Sequence, residues 1–366
     1  MRILLIGEYS NVHWTLAEGL RSLGHKVCVV SNGDFWKNYR RDISLTRNAH
    51  SKLSGIKYLL KAYLMLLKFR NYDIVQIINP MFLELKAERI FPYYRFLRKH
   101  NKKMIMGAFG MDAYWIKYAA SSPYPFRYSD FNIGSQPIIN DYTIEQIADW
   151  DNTPKARLNR MIADDCNGII AGMYEYHSAY KNHHSDKLTY IPFPIEAPAT
   201  AAALYNQERK IRFFIGIQKS RSIYKGTDIM LRALERVVKE YPDDCEMLKA
   251  ENVPFEQYSQ MIADCDILLD QLYGYSPGMN ALLALANGKI VVGGAEEECY
   301  RILGENELRP MVNVEPSEED VYNKLVSIVQ QKREIAKLQA DSIEFIKRHH
   351  SPTKVAQKYI DFWNSK

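Results

Sequence analysis

The stretch YGYSPGMNALLALANGKIVVGG, Tyr273–Gly294, decides how this chain is read. Pro277 and Gly278 keep its opening, Gly274 to Gly278, out of regular structure. The apolar run Met279–Ala286 has helical character, and Asn287-Gly288 stops it. Lys289–Val292 then fits a short strand buried on both faces. A glycine loop feeding a helix at the edge of a parallel sheet leaves backbone N–H groups unpaired, which suits a phosphate or another anion. An ordinary loop–helix–strand unit without a ligand fits the same residues.

Outward from this stretch the chain alternates strand and helix. Ile3–Ile6 predicts a first buried strand, Gly7–Asn11 a loop, Val12 to Leu23 a helix stopped by Gly24, and Lys26–Ser31 a second strand. A dinucleotide fingerprint needs GxGxxG after the first strand; only Gly7 is there, which argues against a nicotinamide enzyme. Asp73–Ile78 and Lys102–Ala108 predict further strands. The latter runs into GAFGMDAYW, so Gly107, Gly110 and Asp112 fall at a strand's carboxyl end, where open sheets bind ligands. Asp112 suits a sugar hydroxyl or a reacting centre there, and equally a helix cap.

Ser121–Asp149 reads as irregular, aromatic-rich and weakly periodic; such a region is often functional, and the pattern fits an acceptor pocket and a packed surface loop alike. Asn167–Ala171 and Leu188–Ile191 are two more strands, and Pro192–Asn206 is a Pro- and Ala-rich boundary. Beyond it Ile211–Ile215, Cys245–Ala250, Ile267–Leu269 and Met311–Val314 predict strands. Thr227–Glu240, Phe255–Ile262 and Glu318–Val329 predict helices. The tail Ile335–Trp363 reads as two helical pieces broken at His349–Pro352.

A length of 366 residues suggests two domains, and 47% hydrophobic with 25% charged residues excludes a disordered chain. No apolar run approaches the ~20 residues that span a bilayer, and MRILLIGEYS passes straight into a strand pattern with no expectation of a leader. The five scattered cysteines have neither disulfide nor metal spacing, which fits a reducing compartment. The net charge of +5 is uneven: residues 1–195 carry 26 Lys/Arg against 17 Asp/Glu, the remainder 22 against 26.

Residues 52–103 hold twelve basic and three acidic side chains. Within them Lys52–Arg70 reads as an amphipathic helix with Leu53, Ile56, Leu60, Tyr63, Leu64 and Leu67 on one side and Lys57, Lys61 and Lys68 on another. Such a helix suits peripheral contact with a membrane, or a domain surface with a solvated basic face. Nucleic acid is not expected, because no reading motif accompanies the charge.

The loop after Ile211–Ile215 is GIQKSRSIYKGTD. Its Lys219, Arg221 and Lys225 lie at a strand's carboxyl end. Facing the Gly278 loop on the same sheet edge, they would hold a diphosphate from both sides. With these residues the chain resembles the retaining, two-domain GT-B glycosyltransferases with a "glycosyl transferases group 1" (family 4-like) C-terminal domain. Lys225-Gly226 matches that family's Lys-Gly pair, and Lys219 or Arg221 must serve for its arginine after Gly216. Gly288-Lys289 anchors its Gly-Lys turn. The family's two glutamates, eight residues apart, become Tyr275 and Leu283. Gly7–Asn11 and Gly110-Met111-Asp112 are variants of its first-domain loops.

The resemblance implies two Rossmann-like α/β domains facing each other across a cleft, 1–195 on the acceptor side and 207–345 binding the nucleotide-sugar, with 346–366 a C-terminal helix returning to the first domain. It implies a glycosyltransferase moving a sugar from a nucleotide-sugar, a co-substrate with no other cofactor and no metal, to a glycan or lipid-linked acceptor. The protein would be cytoplasmic, at the inner face of a membrane. The implied catalytic residues are Lys225 and Asp112. Donor-binding residues would be Gly7, Gly216, Lys219, Arg221, Lys225, Tyr275, Ser276, Gly278, Met279 and Asn280. Loss of both glutamates keeps open a non-catalytic nucleotide- or glycan-binding protein, and an epimerase or phosphorylase, on the same fold.

Overall fold

The computed structural model describes every residue except 48, 50, 199–203, 219–221 and 252. The chain forms two compact units: one from Met1–Tyr118, Ile144–Pro194 and Pro352–Lys366, the other from Ala119–Thr143 and Ile195–Ser351. Its elements up to the boundary run β1 Arg2–Ile6, α1 Val12–Ser22, β2 Lys26–Ser31, β3 Ile43–Ser44, α2 Lys52–Leu66, β4 Ile74–Ile77, α3 Ala87–His100, β5 Lys103–Ala108, α4 Ala113–Ala119, β6 Tyr128–Ser129, β7 Asn132–Ile133, β8 Gln136–Pro137, α5 Asp141–Trp150, α6 Pro154–Asp165, β9 Gly168–Ala171, α7 Tyr174–His184 and β10 Leu188–Tyr190. Beyond it come β11 Ile211–Ile217, α8 Ser222–Lys225, α9 Thr227–Glu240, β12 Cys245–Glu251, α10 Phe255–Asp264, β13 Ile267–Leu269, α11 Met279–Ala286, β14 Ile290–Gly293, α12 Glu297–Leu303, β15 Met311–Asn313, α13 Glu318–Gln330, α14 Ile335–His349 and α15 Pro352–Ser365.

The first unit is a parallel sheet in the order β10-β9-β5-β4-β1-β2-β3. The apolar runs at 3–6 and 74–77 are buried at every position, as strands covered by helices on both faces must be. The second unit is a parallel sheet in the order β12-β11-β13-β14-β15. Both are Rossmann-like. In each the strand order reverses near the middle, between β1 and β4 and between β11 and β13. Loops diverging from such a point leave a crevice at the strands' carboxyl ends.

The tail breaks where the sequence predicts, with Pro352 opening α15. This helix packs on α1 of the first unit, where Gly19 permits the approach: a Cβ there would lie 2.2 Å from the carbonyl oxygen of Pro352. Trp363 is fully buried, and its carbonyl accepts from Lys103 Nζ at 2.8 Å.

One expectation changes in part. Residues 121–140 are mostly turns and bends, as expected, but β6, β7 and β8, two residues each, join them into a small antiparallel sheet, and 141–149 belong to helix α5. Polar turn bonds rather than an apolar period hold the sheet, with Ser129 Oγ donating to Asn132 Oδ1 at 2.6 Å and Asn132 Nδ2 donating to the carbonyls of Phe126 and Gly134. In α2 the buried residues are Tyr58, Ala62 and Leu66; of the side predicted from the sequence, Leu53, Ile56, Leu60, Leu64 and Leu67 face out and Tyr63 is half-buried.

Candidate functional site

In the second unit the loops after β11 and β13 meet around the start of α11. Gly216, near the end of β11, is required by its neighbour: an added Cβ would stand 2.7 Å from the ring of Tyr258 on α10. The Tyr258 hydroxyl donates to Asn280 Oδ1 at 3.0 Å, and Asn280 Nδ2 donates to Asp270 Oδ1 at 2.8 Å. Asp270, just past β13, is buried, and its Oδ2 lies 3.8 Å from the place of a Cβ on Gly278, the residue that caps α11. Gly278 has no side chain to cap α11, and a helix's first N–H groups have no partner within the helix; the Asp270 carboxylate lies near this helix start.

Lys225 ends α8 against this loop. Its carbonyl accepts from Leu272 N–H at 2.8 Å, and Gly226, at φ +68°, leaves no room for a side chain, since a Cβ would be 2.6 Å from Leu272 Cβ. The Lys-Gly turn and the loop after β13 are therefore joined through their main chains. Lys219 and Arg221 lie outside the described residues. Beside Lys225, Tyr224 stacks on Tyr142 with ring centroids 4.3 Å apart and planes 10° from parallel.

Of the remaining positions singled out by the sequence, Ser276 is buried and partnered, while Met279 and Asn280 open α11 half-buried. Tyr275 is also buried. Its ring meets Phe126 and Tyr128 at centroid distances of 5.1 Å each. Its hydroxyl accepts from Arg127 N–H at 2.9 Å, and the Arg127 guanidinium stands 5.0 Å over the ring. Burial, ahead of the opposing bond from Arg127, pushes the Tyr275 phenol up to about 12. Arg127 reaches on to Glu296 at 2.7 Å and Glu298 at 2.6 Å, and Glu296 also takes bonds from the Tyr128 hydroxyl and Asn313 Nδ2. Leu283 is half-buried on α11.

In the first unit the loops after β1, β4 and β5 come together. Gly7 has φ +88°, and a Cβ there would strike Ile78 at 2.3 Å. Gly110 lies against the Tyr9 ring, and Asn79 Nδ2 donates to Met111 O at 3.3 Å. Asp112 is fully buried. Its Oδ1 accepts from Trp115 N–H at 2.9 Å, the bond of a helix cap, and its Oδ2 accepts from the Tyr180 hydroxyl at 2.7 Å. Burial outweighs these bonds and raises its carboxyl to about 6.

Glu8 and His13 carry no signal in a sequence read for glycine fingerprints. Glu8 is buried under α1 and accepts from His13 N–H at 3.1 Å and Trp14 N–H at 2.9 Å; burial lifts its carboxyl to about 8 against those bonds. His13 is buried too, with Nδ1 2.8 Å from Gly7 O and Nε2 3.2 Å from Gln76 Nε2. Gly7 O can only accept, so His13 Nδ1 carries a proton. Burial brings the His13 pKa down to about 4. Among the described residues no group of three His, Cys, Asp or Glu side chains could hold a metal ion.

Solved structures of similar fold match along nearly the whole chain. The structure of Anabaena Alr3699/HepE in complex with UDP and glucose has a TM-score of 0.61 at 10% identity, covering 100% of this chain and 99% of that one. Sucrose-phosphate synthase from Thermosynechococcus elongatus has a TM-score of 0.64 at 14% identity, covering 100% and 98%. WaaG, a glycosyltransferase involved in lipopolysaccharide biosynthesis, has a TM-score of 0.55 at 14% identity, covering 97% and 98%. The fold is GT-B. No family model matches the sequence, and no curated protein matches it. The GT-B likeness therefore rests on the two Rossmann-like units, with α15 seated on α1.

Proposed function

We propose that this chain is a glycosyltransferase, using a nucleotide-sugar donor and a glycan or lipid-linked acceptor, in the cytoplasm at the inner face of a membrane. The observation that carries the reading is the uncapped start of α11, with the Lys225-Gly226 turn bonded to the adjoining loop through Leu272. A diphosphate over that helix start would meet the N–H groups of residues 279–281, and Lys225 would add a cation from the next loop. UDP, a nucleoside diphosphate, and glucose are the ligands named for one similar structure.

In the reaction the bond from the anomeric carbon to the donor's diphosphate oxygen breaks as the acceptor oxygen bonds that carbon. The acceptor's proton passes to the departing diphosphate, which leaves as nucleoside diphosphate. In a retaining course both events occur on one face of the sugar, and the leaving oxygen itself takes the proton. Lys225 interacts more strongly with the diphosphate as its charge grows, which lowers the barrier rather than the ground state. Asp112, buried and held by Tyr180, would position the acceptor-side loop rather than exchange protons.

A second reading has its own observation. Tyr275 is covered by Phe126 and Tyr128, and Glu296 beside it is tied to Arg127, so no free carboxylate stands where the family's first glutamate would act. A nucleotide- or glycan-binding protein without turnover would tolerate this arrangement. Incubation with a panel of nucleotide-sugars and lipid-linked or oligosaccharide acceptors, read by mass spectrometry, separates the two. Nucleoside diphosphate released in step with a new glycan supports transfer. Saturable donor binding with no product across the panel overturns transfer and supports the binding protein.

A further inference from the structure

Helix α2 turns its most apolar side to solvent. Leu53, Ile56, Leu60, Leu64 and the following Leu67 are between 55% and 68% exposed. Their spacings of three and four residues place them in one stripe along a helix about 22 Å long. Lys57, Lys61 and Lys68 are exposed along the edge of this stripe, with Lys52 at its start, and no Asp or Glu occurs from Ile43 to Tyr72. The opposite side is firmly seated. Tyr58, Ala62 and Leu66 are buried, and the Tyr58 hydroxyl accepts from Glu84 N–H at 3.2 Å; on the flank of the stripe the Tyr63 hydroxyl donates to Arg89 O at 2.7 Å. The stripe is a face of an anchored helix.

A run of five large apolar residues open to water is a standing cost unless something covers it. The charge pattern selects the cover. A second copy of this chain paired through the stripe would bring Lys57 and Lys61 against their own kind, with no carboxylate on the helix to meet them. An anionic lipid surface meets both needs: the leucines enter below the head groups, and the lysine stems run along them to place ammonium groups at phosphate level.

We propose that the Leu53–Leu67 face of α2 is a docking surface for anionic phospholipid, with the helix lying in the plane of the bilayer surface. This deepens the membrane-facing part of the function proposed above and is independent of its sugar chemistry. Vesicle binding needs no nucleotide-sugar, and donor turnover on a soluble acceptor needs no vesicle, so each can fail alone.

The test is co-sedimentation of the full chain with vesicles of phosphatidylglycerol and phosphatidylcholine, or of phosphatidylcholine alone, at low and high salt. The parent should pellet with the anionic vesicles only and be released by salt. Leu60→Ser/Leu64→Ser should cut the partition coefficient by about 30-fold or more even at low salt. Lys57→Glu/Lys61→Glu should cut it by about tenfold or more. Both variants should keep the parent's circular dichroism and melting temperature, because the changed side chains face solvent. Parent binding equal on both vesicle types, no binding to either, or unchanged binding by the serine variant overturns the proposal. So does a loss of fold in the serine variant, which would mean that the face is packed. Concentration-dependent dimerisation of the parent that the serine variant abolishes, without vesicle binding, would reassign the face to a second copy.

Discussion

The main-chain N–H of Arg127 donates to the hydroxyl of Tyr275 at 2.9 Å, while the same residue's guanidinium bridges Glu296 and Glu298. One residue of the 119–143 segment thus ties that segment to the loop after β13 and to the start of α12. Arg127→Ala leaves the well-covered Glu296 carboxylate without its cation and should destabilise the second unit by about 1–3 kcal/mol. Arg232→Ala, at exposed ion pairs with Asp228 and Glu318, should cost less than about 0.5–1 kcal/mol. Urea denaturation of both proteins compares the two losses, and equal losses would contradict the bridging role.

Gly19→Ala puts a methyl group where Pro352 O stands only 2.2 Å away. Backbone cannot yield there without moving α15, so a loss of about 2–4 kcal/mol is expected. Limited proteolysis should also show earlier cleavage near residue 350 in the variant. A melting temperature unchanged from the parent would mean that α15 sits differently on α1.

Burial raises Glu8 from its ordinary 4.5 to about 8 and Asp112 from 3.8 to about 6. Both folded-state values lie above the unfolded ones. Their contribution is therefore full below the unfolded values and is lost as pH rises towards the folded ones. For Glu8 the window runs from 4.5 to about 8, with a slope of about 1.4 kcal/mol per pH unit in its middle. Glu8→Gln cannot ionise, so its stability should fall less steeply than the parent's between about pH 5 and about pH 7.5 in urea titrations. The same slope in both proteins would show that Glu8 is ionised throughout.

Asp270 sets a carboxylate beside the start of α11, where the proposed diphosphate would lie. Asp270→Asn keeps an acceptor for Asn280 and removes the charge. Nucleoside diphosphate should bind about 5- to 20-fold more tightly to this variant. Calorimetry reads the change directly, and weaker binding would place the phosphates elsewhere.

Lys225→Ala should lower kcat/KM by about 10²–10³ with the true donor, chiefly through kcat, if its ammonium acts on the departing diphosphate. Lys225→Arg should restore little, because a planar fork does not replace a compact ammonium. Steady-state rates decide it, and a change within about twofold for Lys225→Ala would return this loop to an ordinary basic turn.

The sheets were legible because parallel strands buried on both faces leave unbroken apolar runs: Ile267–Leu269, buried throughout, has the predicted bounds, as does Lys26–Ser31, whose second half is buried. The α2 helix was legible as a helix but not in its orientation. It is apolar on two sides, and Tyr58, Ala62 and Leu66 compete with the leucine stripe for the core. Nothing in the local pattern says that the Tyr58 side wins, its hydroxyl accepting from Glu84 N–H. The loop at Lys225 and the start of α11 could be read from glycines and cations lying near strand ends. The Arg127–Glu296 pair could not, since 169 residues separate its members and neither belongs to a motif.

The seating of α15 on α1 reverses the order in which the molecule can be finished. A ribosome releases residues 1–194 first, yet that part lacks the helix that buries Trp363 and covers Gly19. Residues 195–351 can complete their sheet while the earlier half still waits for 352–366 to emerge. The half made first is therefore the last to close, and until then the α1 surface that receives α15 stays open to water.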